Sequence, residues 1–422
     1  MKIKVFSEDL KLGMYISELD HPWIESPFLF QGFLLRENEE VQEVQSTCKY
    51  VYVDTEKTSP KAIGKLEVIS ASLQKPVQKK KRKPTKIDFT DTATLSRAQF
   101  DKTSFTNNLI KARKARDKTR TYIDSMLAEA KMGKIIDTQK AKILVAELAN
   151  NIVENLDASM WLTQLKTRDE YTAIHSLNVC VLSLTFGRSL GLNNEELNEL
   201  GLGALLHDIG KMQVPLEILN KPGKLTPEEF EIMKSHPQKG YEMLLKDDNL
   251  SAEVLSIVKS HHERLSGEGY PDNLPEQSIS YYTKIVSITD VYDAITSDRV
   301  YHDGMTPHEA LKRLYEWMPN NFDTTLMQSF IRTIGIYPVG SVVELKTGHI
   351  GLVVKLSDSH RLKPVVMLIM NRNKEYYPRR KLVNLASPIW DKRDGKPEVK
   401  RILDAKEFNI DVKKIINEES LT

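Results

Sequence analysis

The sequence predicts a mainly α-helical protein with a small α+β unit at its N-terminal end and a small β-rich appendage at its C-terminal end. Three observations favour this fold class. Apolar residues recur at helical spacing through the middle of the chain. Apolar and polar residues alternate around Ile3 and Val5, and short β-rich runs separated by turn residues follow Tyr337. With 422 residues, the chain is long enough for two or three domains.

We expect five segments along the chain. Residues 1–70 form the α+β domain, with strands at Ile3–Val5 and Val51–Asp54, and residues 71–105 form a basic linker. Residues 106–166 are connecting helices, residues 167–336 are the helical core domain and residues 337–422 are the β-rich appendage. For the N-terminal domain, a regulatory role and a small structural module without a ligand are both open.

The linker is the most strongly charged segment. It carries seven basic residues and no acid between Lys75 and Lys86, although the net charge of the whole chain is only +2. Such a run is typical of a solvated, disordered linker. Contact with nucleic acid is the alternative, but no aromatic residues lie between the lysines, so nucleic acid is disfavoured as a partner.

The helical region begins with a periodic stretch. Ile143, Leu144, Leu148, Ile152 and Leu156 recur at helical spacing, and a core helix is favoured over a dimer stalk. Capping residues at Asn193 open a helix that leads to His207, and those at Thr226 open a helix that carries His236 and stops at Pro237.

The C-terminal appendage has three predicted strands, at Ser341–Leu345, Ile350–Leu356 and Val365–Met370. A basic cluster follows the last of them. Its members are Arg372, Lys374, Arg379, Arg380 and Lys381. A solvated face is favoured for this cluster over contact with an anionic partner.

Composition indicates an ordinary soluble protein, with 40% hydrophobic and 28% charged residues. No run approaches the roughly 18 apolar residues of a membrane helix, and the first residues lack the apolar core of a signal peptide. The two cysteines, Cys48 and Cys180, have no pairing pattern, which predicts a reducing, cytoplasmic setting. Cys180 lies in an apolar run and is predicted to be a buried packing residue.

Two doublets of metal-ligand residues stand out. His207-Asp208 is followed about fifty residues later by His261-His262, and three further residues complete a set of seven candidate ligands. The seven are His175, His207, Asp208, His236, His261, His262 and Asp290. Imidazole and carboxylate together suit Fe, Mn, Zn or Ni better than Mg or Ca. A lone histidine is more often a core or surface residue than a ligand, which is the alternative for His175 and His236 taken singly.

Seven ligands exceed the three or four that one catalytic zinc ion takes, which favours two metals. In a two-metal site the ions lie about 3.5–4 Å apart, one carboxylate bridges both of them, and water is activated for attack on phosphorus. Asp208, flanked by other ligands, is the candidate bridge and catalytic residue. Lys211 lies one turn after His207, so we expect it to share that helix face and to direct a cation at a substrate phosphate.

These residues resemble the HD-GYP family of phosphodiesterases, a subgroup of the HD superfamily of metal-dependent phosphohydrolases. The resemblance extends from about His175 to Arg299 and rests on ordered motifs. They are His175-Ser-Leu-Asn, His207-Asp-Ile-Gly-Lys, His236-Pro-Gln-Lys-Gly, His261-His-Glu-Arg-Leu-Ser-Gly-Glu-Gly-Tyr-Pro and Asp290-Val-Tyr-Asp-Ala-Ile-Thr-Ser-Asp-Arg. Residues 1–70 resemble the small uncharacterised domain found ahead of some HD-GYP domains.

The resemblance implies an all-helical catalytic core, two or three metals, often iron or manganese, and hydrolysis of cyclic di-GMP to pGpG or GMP. It also implies that the seven candidate ligands named earlier bind the metals. Lys211 and Arg299 match positions that contact substrate phosphates, and Gly269, Tyr270 and Pro271 match the signature loop, which shapes the site entrance. Other transition metals remain open.

The sequence departs from the family pattern at three positions. Tyr171 stands where members with three metals carry a Glu, so two divalent ions are expected, and Asp169 and Glu170 lie off that helix face. Ser266 replaces the usual Asp, and His302 stands where a basic residue is common. Preference for cyclic GMP-AMP, or a weakly catalytic module that binds the dinucleotide, therefore stays open beside cyclic di-GMP hydrolysis. A homodimer and signalling proteins are candidate partners.

Overall fold

The structure is a computed structural model, and it describes residues 2–20, 32–36, 38–60, 62, 102–154, 156–164, 171–297, 304–357, 362–392 and 397–421. Contacts divide the chain into two units, Met1–Pro84 and Thr85–Thr422. The predicted basic linker falls largely outside the described residues, as do Arg299 and His302. The bounds proposed for the five segments stay a prediction.

Within its described residues, the N-terminal unit contains a four-stranded antiparallel sheet and one α-helix. The elements are β1 (Lys2–Phe6), β2 (Tyr15–Leu19), β3 (Phe33–Leu34), α1 (Asn38–Thr47) and β4 (Tyr50–Asp54), and the strand order is β1-β4-β2-β3. Ile3 pairs with Val53 across the two predicted strands. Every second residue of β4 is buried, because Val51 and Val53 face a core that includes Met14 and Val44. The predicted α+β character of this unit is confirmed.

The second unit begins with a helical domain. Its helices in the described ranges are α2 (Lys102–Lys131), α3 (Thr138–Glu154), α4 (Leu156–Leu162), α5 (Tyr171–Ser189), α6 (Asn194–Leu206), α7 (Leu216–Leu219), α8 (Pro227–Met233), α9 (His236–Leu244), α10 (Ala252–Ser260), α11 (Tyr281–Thr296), α12 (Pro307–Asn321) and α13 (Thr324–Ile334). This confirms the predicted mainly α fold.

Helix α5 is the centre of this domain. Its residues from Ala173 to Gly187 are all buried, so the helix has no solvent face over that length. It packs against α3, α6 and α11. Helix α3 is thus a core helix, as favoured, with Leu144, Leu148 and Ile152 buried, while Ile143 is exposed. Among the described residues, none of the helices combines the length and apolar character that a transmembrane span requires.

The predicted helix starts are correct, but one predicted helix end is wrong. Asn193 and Thr226 both form capping boxes, with Glu196 and Glu229 respectively. Helix α8, however, ends at Met233, and His236 begins the separate helix α9. Pro237 lies in the first turn of α9, where its missing N–H costs nothing, and so it starts a helix rather than stopping one.

The C-terminal part forms a five-stranded antiparallel sheet. The strands are β5 (Val342–Leu345), β6 (Ile350–Lys355), β7 (Val365–Met370), β8 (Tyr376–Asn384) and β9 (Val399–Leu403), in the order β8-β7-β6-β5-β9, and helix α14 (Val412–Leu421) follows. The three predicted strands are confirmed. Strand β8 contains three residues of the basic cluster, and one of these, Arg380, pairs with Glu418 and Glu419 of α14.

Candidate metal centre

Five helices bring the seven predicted ligands together. Helix α5 carries His175, and α11 carries Asp290. His207 and Asp208 follow the end of α6, His236 opens α9, and the doublet His261-His262 follows α10. Six of the seven residues are buried and His262 is half-buried. Ligands at helix ends are held by the packing of those helices, so their positions are fixed before any ion binds.

The first ligand group contains His175, His207 and Asp208, whose ligand atoms all lie within 4.8 Å of one another. His175 Nε2 is 3.6 Å from Asp208 Oδ2, and His207 Nε2 is 3.4 Å from the same oxygen. Asp290 adjoins this group, because its Oδ1 is 3.1 Å from His175 Nε2. Two imidazoles and two carboxylates thus converge on one volume.

The second ligand group contains Asp208, His236, His261 and His262, again with all ligand atoms within 4.8 Å. His236 Nε2 is 3.2 Å from Asp208 Oδ1 and 3.3 Å from His261 Nε2. His262 Nδ1 is 3.8 Å from Asp290 Oδ2. Asp208 belongs to both groups and presents one oxygen to each, which is the arrangement that a bridging carboxylate needs.

Backbone carbonyls orient three of the imidazoles. The Nδ1 atoms of His207, His236 and His261 lie 2.6 Å from Ala204 O, 2.8 Å from Met233 O and 3.0 Å from Val258 O. A carbonyl oxygen only accepts, so each Nδ1 carries the proton. Each Nε2 is then left with its lone pair directed into the cluster, ready to ligate a metal.

Asp293 orients the fourth imidazole and was not among the predicted site residues. Its Oδ2 accepts from His175 Nδ1 at 2.8 Å, and its Oδ1 accepts from Asn178 Nδ2 at 3.1 Å. The sequence contains a signal for it, since Asp293 follows Asp290 by three residues and so lies one helical turn away on α11. A carboxylate behind a ligating histidine fixes the ring and raises its basicity.

The electrostatics of Asp208, Asp290, His261 and His262 favour the protonation states that ligate a metal. Burial would raise the pKa of Asp208, but Lys211 and His207 hold that pKa well below its usual range. Burial opposes ionisation of Asp290 in the same way, yet His175 and His262 keep its pKa low. Burial, together with the neighbouring imidazoles, lowers the pKa of His261 and of His262 well below the usual value, so both rings are neutral near pH 7.

Two atoms of the cluster indicate that these residues fit metal ions. His207 Nε2 and Asp208 Oδ1 are buried and make no hydrogen bond within the described ranges. An unsatisfied buried lone pair costs about 1–3 kcal/mol, and a cation bound between the two groups would satisfy both atoms. The donor set of imidazole nitrogen and carboxylate oxygen is suited to transition metals such as iron, manganese or zinc.

Lys211 lies beside the shared carboxylate. Its Nζ donates to Asp208 Oδ2 at 2.5 Å, and its side chain is 19% exposed. The predicted reason for its position was wrong, because α6 ends at Leu206 and Lys211 sits in the 3-10 turn Ile209–Gln213. The tighter turn brings Lys211 to Asp208 rather than onto a helix face shared with His207.

The Gly269-Tyr270-Pro271 loop is held against the cluster by a buried acid. Glu263 is 2% exposed, and its carboxylate accepts from the backbone N–H of Asp272 at 2.8 Å and of Leu274 at 3.0 Å. The Tyr270 ring lies 4.6 Å from the His262 ring at an interplanar angle of 32°. The loop thus lines the opening of the site beside one of the candidate ligands.

Some predicted residues cannot be placed. Arg299, His302, Asp169 and Glu170 lie outside the described residues. Tyr171 is the first residue of α5, one helical turn before His175.

Comparisons with known proteins agree with this architecture. Three family models match the chain: a domain of unknown function (DUF3391) at residues 2–141, an HD domain at residues 145–326 and a KOW domain associated with HD domain at residues 342–388. The chain is 37% identical over 364 residues to the cyclic di-GMP phosphodiesterase PA4108 of Pseudomonas aeruginosa, which covers 86% of this chain and 84% of that protein.

The chain is less similar to a second phosphodiesterase and to one solved structure. The chain is 32% identical over 191 residues to the 3′3′-cGAMP-specific phosphodiesterase 1 of Vibrio cholerae, covering 45% of this chain and 44% of that protein. The solved structure of Bd1817, an HDG"Y"P protein from Bdellovibrio bacteriovorus, has a TM-score of 0.41 and 19% identity, and covers 79% of this chain and 99% of that one.

The helical fold and its histidine–aspartate cluster define an HD-type phosphohydrolase, an enzyme that binds divalent metal. With 37% identity to a phosphodiesterase over 86% of its length, the chain belongs to the HD-GYP family of phosphodiesterases. The resemblance noted in the sequence motifs is therefore confirmed.

Proposed function

We propose that the protein hydrolyses cyclic di-GMP to pGpG, GMP or both, using two divalent metal ions. The observation that carries the two-metal proposal is the position of Asp208, whose two carboxylate oxygens face different ligand groups. We assign His175, His207 and Asp290 to one ion, His236, His261 and His262 to the other, and Asp208 to both. Iron or manganese is the proposed metal, on the chemistry of these donors.

The bound ions would supply Lewis acidity, polarising the scissile phosphate and lowering the pKa of a water molecule. The chain's own residues hold that chemistry in place. Asp293 and the three backbone carbonyls fix the imidazole rings, so little reorganisation is needed. Lys211 adds a cation beside Asp208, where it can balance charge on a phosphate oxygen. Arg299 and the Gly269-Tyr270-Pro271 loop are proposed as further substrate contacts.

The proposed substrate is inferred from the names of similar proteins. PA4108 and the RpfG protein of Xanthomonas campestris are both named cyclic di-GMP phosphodiesterases, at 37% and 40% identity to this chain. Cyclic GMP-AMP is the second candidate substrate, because cGAMP-specific enzymes also match and because Ser266 and His302 depart from the family pattern. A weakly catalytic binding module is less well supported, since all seven ligands are present and converge.

The decisive experiment is chromatographic product analysis with cyclic di-GMP and cyclic GMP-AMP, using protein of measured metal content. We expect pGpG or GMP from cyclic di-GMP, with the higher kcat/KM. In parallel, Asp208→Ala should abolish turnover and deplete both metals, because a bridging ligand is lost from both ions. An Asp208→Ala protein that keeps two metals and near-normal turnover would show that the bridge is misassigned.

Location and partners complete the proposal. Both cysteines are free and buried, which supports a cytoplasmic setting that cell fractionation can test. A homodimer and signalling partner proteins are proposed from the domain architecture, and the mass of the protein in solution tests the first of these.

A further inference from the structure

A cavity of about 710 Å³ opens beside the second ligand group. Its size falls within the roughly 300–1,000 Å³ of typical ligand pockets. His262 is one of its walls, so a molecule in the cavity lies next to a candidate metal ligand. Its other walls include Phe230, Lys234, Arg264, Tyr270 and Asn273.

Two aromatic rings face this cavity from different elements. Phe230 lies on α8, and its ring centroid is 6.5 Å from that of Tyr270 at an interplanar angle of 80°. The two rings therefore stand nearly at right angles, and Tyr270 in turn lies against His262. One flat ring can stack on Phe230 while its edge meets Tyr270, which is the geometry that aromatic pairs prefer.

Phe230 is not among the buried core residues. It is 46% exposed, and none of the residues of α8 is buried. The helix is fixed instead by its capping box and by an ion pair between Lys221 and Glu229. Because Phe230 lines the cavity and lies outside the buried core, its ring is available to a ligand there.

A cation accompanies the two rings. Lys234 Nζ lies 5.5 Å from the Phe230 centroid and 6.0 Å from the Tyr270 centroid. It pairs with Glu231 at 2.6 Å, but the Glu231 side chain is 69% exposed. An exposed pair of this kind contributes little, about 0–1 kcal/mol, so an anionic ligand can replace Glu231 as the partner.

We propose that Phe230, Tyr270 and Lys234 form a nucleobase subsite: Phe230 stacks on one base of the substrate, and Lys234 binds an adjacent phosphate oxygen. This inference rests on the proposed function and deepens it, because it assigns substrate-positioning roles to Phe230 of α8 and to Lys234, which follows the end of that helix. The metal centre binds the scissile diester, while Phe230 and Lys234 bind a part of the substrate that does not react.

The test compares two substrates in the same variants. With cyclic di-GMP, Phe230→Ala should lower kcat/KM by about fivefold to 150-fold, which corresponds to about 1–3 kcal/mol for one stacked base. Most of the loss should appear in KM. Lys234→Gln should cost about tenfold, the lower end for a charged hydrogen bond because the site is partly exposed. With methyl p-nitrophenyl phosphate, which has no base to bind, both variants should match the wild type.

Matched controls separate binding from folding. Ile232→Ala lies on the same helix, is 40% exposed in the wild type and does not line the cavity, so it should leave both substrates unaffected. Phe230→Tyr and Lys234→Arg should restore most of the activity on cyclic di-GMP. Equal losses on both substrates, or no loss on either, would overturn the subsite.

The substrate assignment and the subsite can be tested separately. If the wild type hydrolyses methyl p-nitrophenyl phosphate but no cyclic dinucleotide, the substrate assignment is wrong. Calorimetry with cyclic di-GMP then tests the subsite by itself. Weaker binding by Phe230→Ala than by Ile232→Ala supports it, while equal affinity, or no binding by any form, overturns it.

Discussion

Removing the Asp293 carboxylate should release one metal before the other. Asp293 is fully buried and accepts hydrogen bonds from His175 Nδ1 at 2.8 Å and from Asn178 Nδ2 at 3.1 Å. His175 is a candidate ligand in the first group and is absent from the second. Loss of Asp293 should therefore weaken the metal site of the first group and leave the second group nearly intact.

The expected magnitude follows from these two bonds. In Asp293→Ala, both buried donors lose their acceptor, at about 1–3 kcal/mol each. Loss of a carboxylate behind a ligating histidine typically lowers metal affinity by about 10–100-fold, or about 1.4–2.8 kcal/mol. Asp293→Asn keeps the shape and one acceptor, so it should cost about tenfold, because a charged hydrogen bond is roughly twice as strong as a neutral one.

The assay is a metal titration monitored by calorimetry, together with elemental analysis after gel filtration. We expect two metals per chain in the wild type and close to one in Asp293→Ala. Ser297→Ala is the control, since Ser297 Oγ donates to the same carboxylate at 3.3 Å and Ser297 is not a candidate metal ligand. The reasoning is refuted if Asp293→Ala, in folded form, holds two metals with wild-type affinity, or if both metals leave together.

Three further predictions follow from the site and the sequence. Elemental analysis or anomalous scattering should find two metals per chain, since Tyr171 stands where three-metal relatives have Glu, and a third fully occupied ion would contradict this. Lys211→Ala should lower kcat/KM by about tenfold to a thousandfold with metal content near wild type, because a protonated lysine cannot ligate; unchanged activity would make Lys211 a surface charge only. Replacing the linker lysines between Lys75 and Lys86 with serine should keep the hydrolysis rate within about twofold, as a solvated linker contributes nothing to the transition state, and a large loss would mean that the segment touches the substrate.

The parts of the fold that sequence predicts well are those with local signals. Alternation predicted β1, and capping residues located the starts of α6 and α8. Strand β8 was missed because its residues Tyr376–Asn384 are largely polar and read as a basic cluster. Its conformation is set by pairing with β7, where Val366 lies opposite Val383, and such a partner is not visible in the local pattern.

For the candidate site as well, only the features with local sequence signals could be predicted. Residue types and motif spacing were enough to name all seven residues that converge, because few other roles explain two doublets of ligand residues. Their division into two groups and the role of Asp293 depend on contacts between helices far apart in sequence. Asp293 and His175 are separated by 118 residues, so only the packed structure reveals their contact.

The glycine of the His207-Asp-Ile-Gly-Lys motif links the fold to the site. A Cβ at Gly210 would lie 1.9 Å from the His236 carbonyl oxygen and 2.4 Å from the Gly240 nitrogen. Only glycine lets the turn after Asp208 pack directly on the first turns of α9. This close approach is what leaves Asp208 Oδ1 3.2 Å from His236 Nε2. The three residues after Asp208 therefore help to position the ligands: Ile209 is buried in the core, Gly210 allows the close approach to the second ligand group, and Lys211 supplies the neighbouring charge.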